Sequence, residues 1–277
     1  KLGGELGNYL HNELLPKLEQ SLEAKSWPIT PYVNVFNSTP ESGFSQFFDS
    51  PRYSTGYTTL FNTLGMMVET HMLKPYKQRV EGTYELMLSM LQIVDNESDT
   101  IKELRSKRIS SYKAGNFYPL NWELDTTQSS VLNFKGYEAE TITSTVTGLP
   151  RLKYNRSKPF EKLVNYQNYF KAKDSVVIPV AYVIPQGWHN VLELLKINNI
   201  AFKQFKNDTT ITVESYKISN YKTRNNAYEG HYLHYNTEVA QTTESKNFRK
   251  GDYYIPTQQF AIRYLLETLE PQAVDSF

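Results

Sequence analysis

Glu69 is the carboxylate with the clearest chemical context, in the segment at residues 65–74 (GMMVETHMLK). Three apolar residues follow the glycine, a pattern that indicates a buried strand with Glu69 near its end. Burial raises the pKa of a carboxyl toward the range useful to a general base, and strand ends in open α/β sheets are frequent ligand sites. The alternative is that Glu69 forms an ion pair with Lys74 or Arg79 at a sheet edge.

A second group of reactive side chains lies in the loop at residues 44–57 (FSQFFDSPRYSTGY). It contains Arg52, Tyr53 and Tyr57 and comes directly before the helix and strand that lead to the carboxylate above. An arginine guanidinium suits a carboxylate ligand because it donates two parallel hydrogen bonds, and loops on a rigid scaffold often carry function. These three residues are therefore candidate substrate-binding groups. The alternative is an ordinary surface loop in which Asp49 contacts Arg52.

Metal ligands are sparse in this chain, which has five histidines, no cysteine and no His-x-x-Glu or His-x-x-x-His spacing. His189 and Glu193 lie four apart on a predicted helix, a spacing that suits either a ligand pair or a surface pair. His231 and His234 lie three apart in a predicted strand and point to opposite faces unless a bulge intervenes. A catalytic zinc site needs three protein ligands, so we assign no metal ligand to this chain. Serine-nucleophile, phosphate-loop and dinucleotide motifs are also missing from the sequence.

The composition limits the partners that this chain can have. At 277 residues it is long enough for two domains. Its formal net charge of +1 gives no field that attracts nucleic acid or anionic lipid, and no apolar stretch reaches the roughly 20 residues that span a bilayer. The 21 tyrosines suit half-exposed sheet faces and binding surfaces, since each joins apolar area to a polar tip.

The first part of the chain alternates helices and strands. Leucines recur every four residues from Leu2 to Leu22 and predict an amphipathic helix that Pro16 interrupts. The elements predicted after it are, in order, a strand at 28–36, a short helix at 55–64, the strand at 65–71, a long helix beginning at Pro75, a break at 95–98 and a charged helix at 101–112.

From residue 116 the sequence favours β-branched and aromatic residues between turn signals, which indicates a β-rich region. The strands predicted there are at 131–145, 175–184, 209–218 and 231–239, with short helices at 188–196 and 256–268.

These patterns predict three parts: an α/β region at residues 1–95, a helical connector at 96–115 and a β-rich domain at 116–277. The chain opens almost at once into a helix without an initiator methionine or a leader. We therefore expect it to be an internal piece of a longer protein.

The run at residues 50–87 (SPRYSTGYTTLFNTLGMMVETHMLKPYKQRVEGTYELM) resembles the C-terminal half of the carboxypeptidase A-like zinc peptidase domain. It is most similar to the bacterial branch that carries an appended β-rich domain. Three later runs resemble that appended domain: VAYVIPQGWHNVLELLKINNI at 180–200, YEGHYLHYN at 228–236 and GDYYIPTQQFAIRYLLETLEPQAVDS at 251–276.

The resemblance implies a fold, a reaction and roles for the residues named above. The expected fold is the C-terminal half of a carboxypeptidase-like α/β/α domain, followed by a β-rich, sandwich-like domain. In the family a zinc ion is held by His-x-x-Glu and a later histidine, motifs that belong upstream of this chain. By position Glu69 matches the family's general base and acid, and Arg52, Tyr53 and Tyr57 become contacts to a peptide substrate. The resemblance also implies a secreted or periplasmic location.

Two other functions are compatible with the same residues. The tyrosine-rich β domain would bind a glycan or cell-wall polymer while the peptidase-like half is inactive, because aromatic faces suit sugar rings. The β domain would otherwise serve only to cover a sheet edge or form an interface.

Overall fold

A computed structural model, which describes residues 2–277, gives a mixed α/β protein with two compact units. One unit comprises the residues up to Ser21 together with Asp49–Asn121 and Asp174–Phe277, and the other comprises Leu22–Phe48 and Trp122–Lys173. The predicted division followed the chain in three consecutive parts. The observed units are instead interleaved along the sequence.

Seven α-helices occur in the described residues, and none is long and apolar enough to cross a membrane. Their bounds are α1 Gly4–Tyr9, α2 Leu15–Ala24, α3 Ser54–Thr59, α4 Tyr76–Asn96, α5 Ser98–Ser111, α6 His189–Ile197 and α7 Ile262–Leu269.

The strands of residues 2–277 form four small sheets, ordered β1-β4-β3, β6-β10-β7, β2-β5 and β8-β9. Their bounds are β1 Phe44–Ser45, β2 Phe117–Leu124, β3 Ser130–Thr143, β4 Pro150–Gln167, β5 Phe170–Val177, β6 Ala181–Ile184, β7 Lys203–Gln204, β8 Thr209–Thr223, β9 His234–Phe248 and β10 Tyr253–Pro256. β3-β4 and β8-β9 are long antiparallel hairpins.

The leucine periodicity at the start of the chain is confirmed. A π-helical turn at Leu10–Leu14 joins α1 to α2, and the N–H of Leu15 donates to the carbonyl of Leu10. Pro16 has no N–H to donate and disturbs the i→i−4 ladder there, so one wider turn keeps the helix continuous. The apolar face is buried at Leu2, Leu6, Leu14, Leu18 and Leu22.

The junction between α4 and α5 holds the first helix in place. Glu97, between the two helices, accepts hydrogen bonds from the hydroxyl of Tyr9 (2.6 Å) and from Lys17 Nζ (2.8 Å). Farther along, the hydroxyls of Ser21 and Ser89 are 3.0 Å apart. The predicted break at residues 95–98 is therefore confirmed and is also a packing point.

Helix α7 is the centre of the larger unit. Ala261, Tyr264 and Leu265 pack in one core cluster with residues of α6 and β10, while Ile262 and Leu266 pack in a second cluster with residues of β2. Because both sides of this helix are covered, all of its turns are buried. Its two ionisable residues are therefore placed inside the unit.

The smaller unit has its own aromatic core. Phe44 of β1, Phe134 of β3, and Val164 and Tyr166 of β4 are buried together, with the Phe44 and Tyr166 ring centroids 5.3 Å apart.

The strand predicted at residues 28–36 is wrong. This stretch has no strand pairing, and its internal hydrogen bonds are short-range, as from the N–H of Val35 to the carbonyl of Val33 (2.9 Å). Pro28 and Pro31 cannot donate a hydrogen bond to a β-ladder. The sequence nevertheless has the apolar pattern of a strand, which is why a strand was predicted.

The strand predicted at residues 65–71 is also wrong as a buried element. Residues 64–71 have no regular secondary structure, and within the described part of the chain the backbone of residues 64–70 bonds to no other segment. Met67 and Val68, predicted to be buried, are exposed. A strand needs a partner for its N–H and C=O groups, and residues 2–277 offer none here.

Helix α4 carries an exposed apolar face that residues 2–277 leave uncovered. Its predicted helical periodicity is confirmed, but the apolar side chains are 38–74% exposed. We call this face the α4 stripe, and it consists of Tyr76, Val80, Tyr84, Met87, Leu91 and Val94.

Truncation of Leu265, a buried leucine of α7, should lower stability far more than truncation of an exposed leucine. We expect Leu265→Ala to lower the free energy of unfolding by about 2–5 kcal/mol, because it leaves a cavity around a side chain that is 0% exposed. Urea denaturation of the 277-residue chain measures this. The matched control is Leu194→Ala on α6, where the leucine is 41% exposed and the loss should stay below about 1 kcal/mol. Equal losses would contradict the central position of α7.

Candidate functional site

The loop that carries the candidate substrate-binding residues is folded tightly against α3. Asp49 accepts a hydrogen bond from the hydroxyl of Thr55 in the first turn of α3. A Cβ at Gly56 would overlap the carbonyl of Ser50, so only glycine permits this close approach. Asp49 thus fixes the turn that presents the arginine.

Arg52 pairs with a carboxylate distant in sequence. Its Nε and Nη2 lie 2.7 and 2.5 Å from Oδ1 of Asp275, and its backbone N–H donates to Oδ2 at 3.1 Å. The predicted Asp49–Arg52 contact is replaced by these bonds. Asp275 is nearly buried in the contact, with 8% of its side chain exposed.

The tip of the β8-β9 hairpin completes this cluster. The hydroxyls of Tyr53 and Tyr228 are hydrogen-bonded, and this bond, with burial, raises the pKa of Tyr53 above its ordinary value. The guanidinium of Arg52 lies 6.0 Å from the ring centroid of Tyr228. The structure therefore brings together Arg52 and Tyr53, two of the predicted substrate-binding residues, and adds Tyr228 and Asp275 to them. We call these four residues the Arg52 cluster.

Tyr57 lies to one side of the Arg52 cluster. Its hydroxyl donates to Oδ1 of Asn198, just beyond α6, and its ring meets the edge of Phe61 with centroids 5.3 Å apart. Asn198 in turn donates from Nδ2 to the hydroxyl of Tyr264 at 3.0 Å. Tyr57 is 41% exposed and is held at this position by the core of the unit.

Glu69 is not joined to the Arg52 cluster. It is exposed in the irregular 64–71 segment, and within residues 2–277 it forms no ion pair with Lys74, Arg79 or any other cation. The desolvated strand end predicted for it is absent from the described residues. Nothing in residues 2–277 covers this carboxylate, so it stays in contact with solvent.

The histidines are dispersed. His234 Nδ1 lies 2.9 Å from the hydroxyl of Thr223, and His71 Nδ1 accepts from the N–H of Leu73 at 3.2 Å. Burial lowers the pKa of His11. Among residues 2–277 there is no group of three or more His, Cys, Asp or Glu side chains that could hold a metal ion.

Sequence reasoning missed a buried carboxyl five residues before Asp275 in the chain. Glu270 is 2% exposed and accepts hydrogen bonds from the hydroxyls of Tyr182 and Tyr216. Burial raises the pKa of Glu270, although the two hydroxyl bonds oppose that shift. The sequence signal was weak, because a glutamate before a proline at a helix end reads as a surface residue.

The segment after α7 links these two carboxylates. Glu270 begins it and Asp275 follows, while the N–H of Phe277 donates to the carbonyl of Thr268 (3.0 Å) and Ala273 is buried. The 270–277 segment is thus anchored at several points besides Asp275.

Comparison of this chain with protein-family models, with curated proteins and with solved structures gives no match.

The buried carboxyl of Glu270 should make stability depend on pH. Because its pKa is raised in the folded state above the ordinary 4.5, the stabilisation from the neutral form is complete below about pH 4.5 and is lost as pH rises through the raised pKa. Glu270→Gln should therefore match the native chain at pH 4 and exceed its stability at pH 8, by about 1.4 kcal/mol for every factor of ten in proton affinity. Thermal unfolding across pH 4–8 measures this, with the exposed Glu193→Gln as control. A constant difference between Glu270→Gln and the native chain would contradict the assignment.

Proposed function

We propose that this chain is the C-terminal part of a zinc metallocarboxypeptidase, a secreted or periplasmic hydrolase that cleaves a C-terminal peptide or related amide bond. The observation that carries the proposal is the 64–71 segment: it is irregular, apolar in part and without a backbone partner at residues 64–70 among the described residues, and it contains the carboxylate that matches the family's general base. The resemblance of residues 50–87 supplies the reaction class.

The exposed surfaces support an incomplete sheet. Unpaired backbone groups of an extended segment attract a neighbouring strand, and an apolar helix face of the length of the α4 stripe is typical of a helix that covers a sheet. A neighbouring strand beside residues 64–71 and a sheet beneath α4 would bury both at once. The finer fold that we propose is therefore the C-terminal half of a carboxypeptidase-like α/β/α domain with an appended β-rich, sandwich-like domain.

The described residues do not fit a zinc site, because no set of three ligands is present among them. In this proposal the zinc ligands belong to the upstream half of the parent protein, as the resemblance implies. We assign no step through zinc to the residues of this chain. Its contribution is acid–base chemistry and substrate binding.

Glu69 is the acid–base group of the proposal. Once a neighbouring strand covers the 64–71 segment, its carboxylate is partly desolvated and suited to accept a proton from the attacking water. The resulting carboxylic acid then donates that proton to the leaving amine. Arg52 and Tyr53, from the fixed loop before α3, bind the substrate, since a guanidinium matches the fork of a free carboxylate.

Glu69→Gln tests the acid–base role in the longer protein that carries the zinc ligands. The amide keeps the size of the side chain but cannot accept the proton, so kcat should fall about 100- to 10,000-fold. Zinc per chain, measured by elemental mass spectrometry, should not change. Glu81→Gln, at an exposed glutamate of α4 that pairs with Lys77, is the matched control and should retain full turnover. Turnover within threefold of the control in Glu69→Gln would overturn the role of Glu69.

A second candidate function is glycan binding by the β-rich region. The observation that favours it is a group of exposed tyrosines near one end of the β8-β9 hairpin, where Tyr221 and Tyr232 are 55% and 59% exposed. Tyrosine faces of this kind stack on sugar rings.

Co-sedimentation of the 277-residue chain with purified cell-wall polysaccharide tests this second function. If the tyrosines bind the polymer, the bound fraction should drop at least about tenfold in Tyr221→Ala/Tyr232→Ala. The control is Tyr169→Ala, at an exposed tyrosine that belongs to neither strand of that hairpin. No sedimentation of the native chain would reject glycan binding.

A further inference from the structure

Two hydrogen bonds from Arg52 engage both carboxylate oxygens of Asp275: Nε donates to Oδ1 at 2.7 Å and the backbone N–H donates to Oδ2 at 3.1 Å. Nη2 adds an ion-pair contact to Oδ1 at 2.5 Å. Charge-assisted bonds of this kind are stronger than neutral ones, and a guanidinium combined with a backbone N–H is a typical arrangement for capturing a free carboxylate. Exposed surface ion pairs rarely engage every oxygen in this way. The contacts of Asp275 with Arg52 instead resemble those of a bound carboxylate ligand.

The surroundings of the guanidinium suit an organic acid. The Tyr228 ring borders Arg52 on one side, and its hydroxyl is held by Tyr53. An aromatic ring beside a carboxylate receptor offers apolar contact to the carbon atoms next to the carboxylate. The Arg52 cluster therefore offers a guanidinium to the carboxylate of such a ligand and an aromatic ring to the carbon atoms beside it.

The segment that carries Asp275 does not need this ion pair to stay in place. Glu270 bonds to Tyr182, Ala273 is buried, and the Phe277 N–H bonds to the Thr268 carbonyl. The Phe277 ring also lies 6.5 Å from that of Tyr264. Loss of the Asp275 carboxylate should therefore free Arg52 without releasing the segment.

We propose that the Arg52 cluster is a carboxylate-binding site in which Asp275 occupies the place of a ligand's free carboxylate and competes with it. The inference rests on the proposed function, since the ligand would be the terminal carboxylate of a peptide substrate or product. An internal competitor lowers the apparent affinity for a ligand by the fraction of molecules in which Arg52 is free. The chain thus restrains its own substrate-binding arginine.

Binding of N-acetyl-L-tyrosine to the 277-residue chain tests this inference, with N-acetyl-L-tyrosinamide as the neutral match. Calorimetry or ¹⁵N NMR at the Arg52 Nε–H measures it. Asp275→Asn should bind the acid at least about tenfold more tightly than the native chain does, because the internal competitor is removed. The amide should bind neither protein. Ser276→Ala, which leaves the Arg52–Asp275 pair intact, should behave as the native chain.

Arg52→Gln in the Asp275→Asn background should abolish the gain. The inference is overturned if Asp275→Asn gains no affinity, if it binds the amide equally well, or if inorganic phosphate binds it and the acid does not. Asp275→Ala provides a second readout should Asp275→Asn fold poorly. Acetate at millimolar concentration should restore its melting temperature, while acetamide should not, and equal effects of the two would reject the site.

The outcome is separable from that of the proposed function. If Asp275→Asn binds the acid more tightly while Glu69→Gln keeps full turnover, the binding site is retained and the acid–base role is rejected. The reverse pattern would retain the peptidase role and reject this site.

Discussion

The larger compact unit depends on a buried guanidinium. Arg263 in α7 donates to the Tyr118 hydroxyl (3.0 Å) on β2 and to Glu267 (3.3 Å) one turn along α7, and its Nη1 lies 3.4 Å from Oδ1 of Asn62. Burial also raises the pKa of Tyr118, which keeps its phenol neutral. A buried charge that loses its partner costs about 3–5 kcal/mol, so this network fixes the rotation of α7. The helix, the strand and the turn after α3 are thereby set together.

That network determines where the proposed catalytic segment begins. Asn62 is held by Arg263, and Arg105 of α5 donates to the Asn62 carbonyl (3.0 Å) and to the Thr63 hydroxyl (3.1 Å). The chain is thus fixed up to Thr63, whereas the following residues have no backbone partner among those described. The segment that carries Glu69 is therefore fixed at its start, and residues 64–70 are held by no backbone hydrogen bond within the described part of the chain.

The same helix positions the substrate-binding side of the proposal. The 270–277 segment follows α7 directly. Glu270 attaches it to Tyr182 and Tyr216, and Asp275 attaches it to Arg52. Since Arg52 is oriented by Asp275, the charge available to a ligand depends on the C-terminal residues as well as on the loop before α3. Packing of one short helix therefore bears on both the start of the segment that carries Glu69 and the orientation of Arg52.

The sequence by itself determined the local elements, and tertiary contacts decided the rest. Leucine spacing, the turn at Pro16, the helix start after Pro75 and the break near Glu97 follow from rules that act within a few residues. Parts of β3, β8 and β9 and the two short late helices were also predictable from composition, whereas β4 was not predicted.

The pairing of segments was not predictable from the sequence, because a strand exists only when another backbone satisfies its hydrogen bonds. Residues 28–36 and 65–71 have the pattern of strands and lack the partner. The acid that holds Arg52 lies 223 residues away in the chain, a contact that no local spacing encodes. Burial of Arg263 and Glu267 likewise required α7 to be covered on both sides. Hydrophobic periodicity specifies which face of an element is apolar, while only the assembled structure decides what covers it.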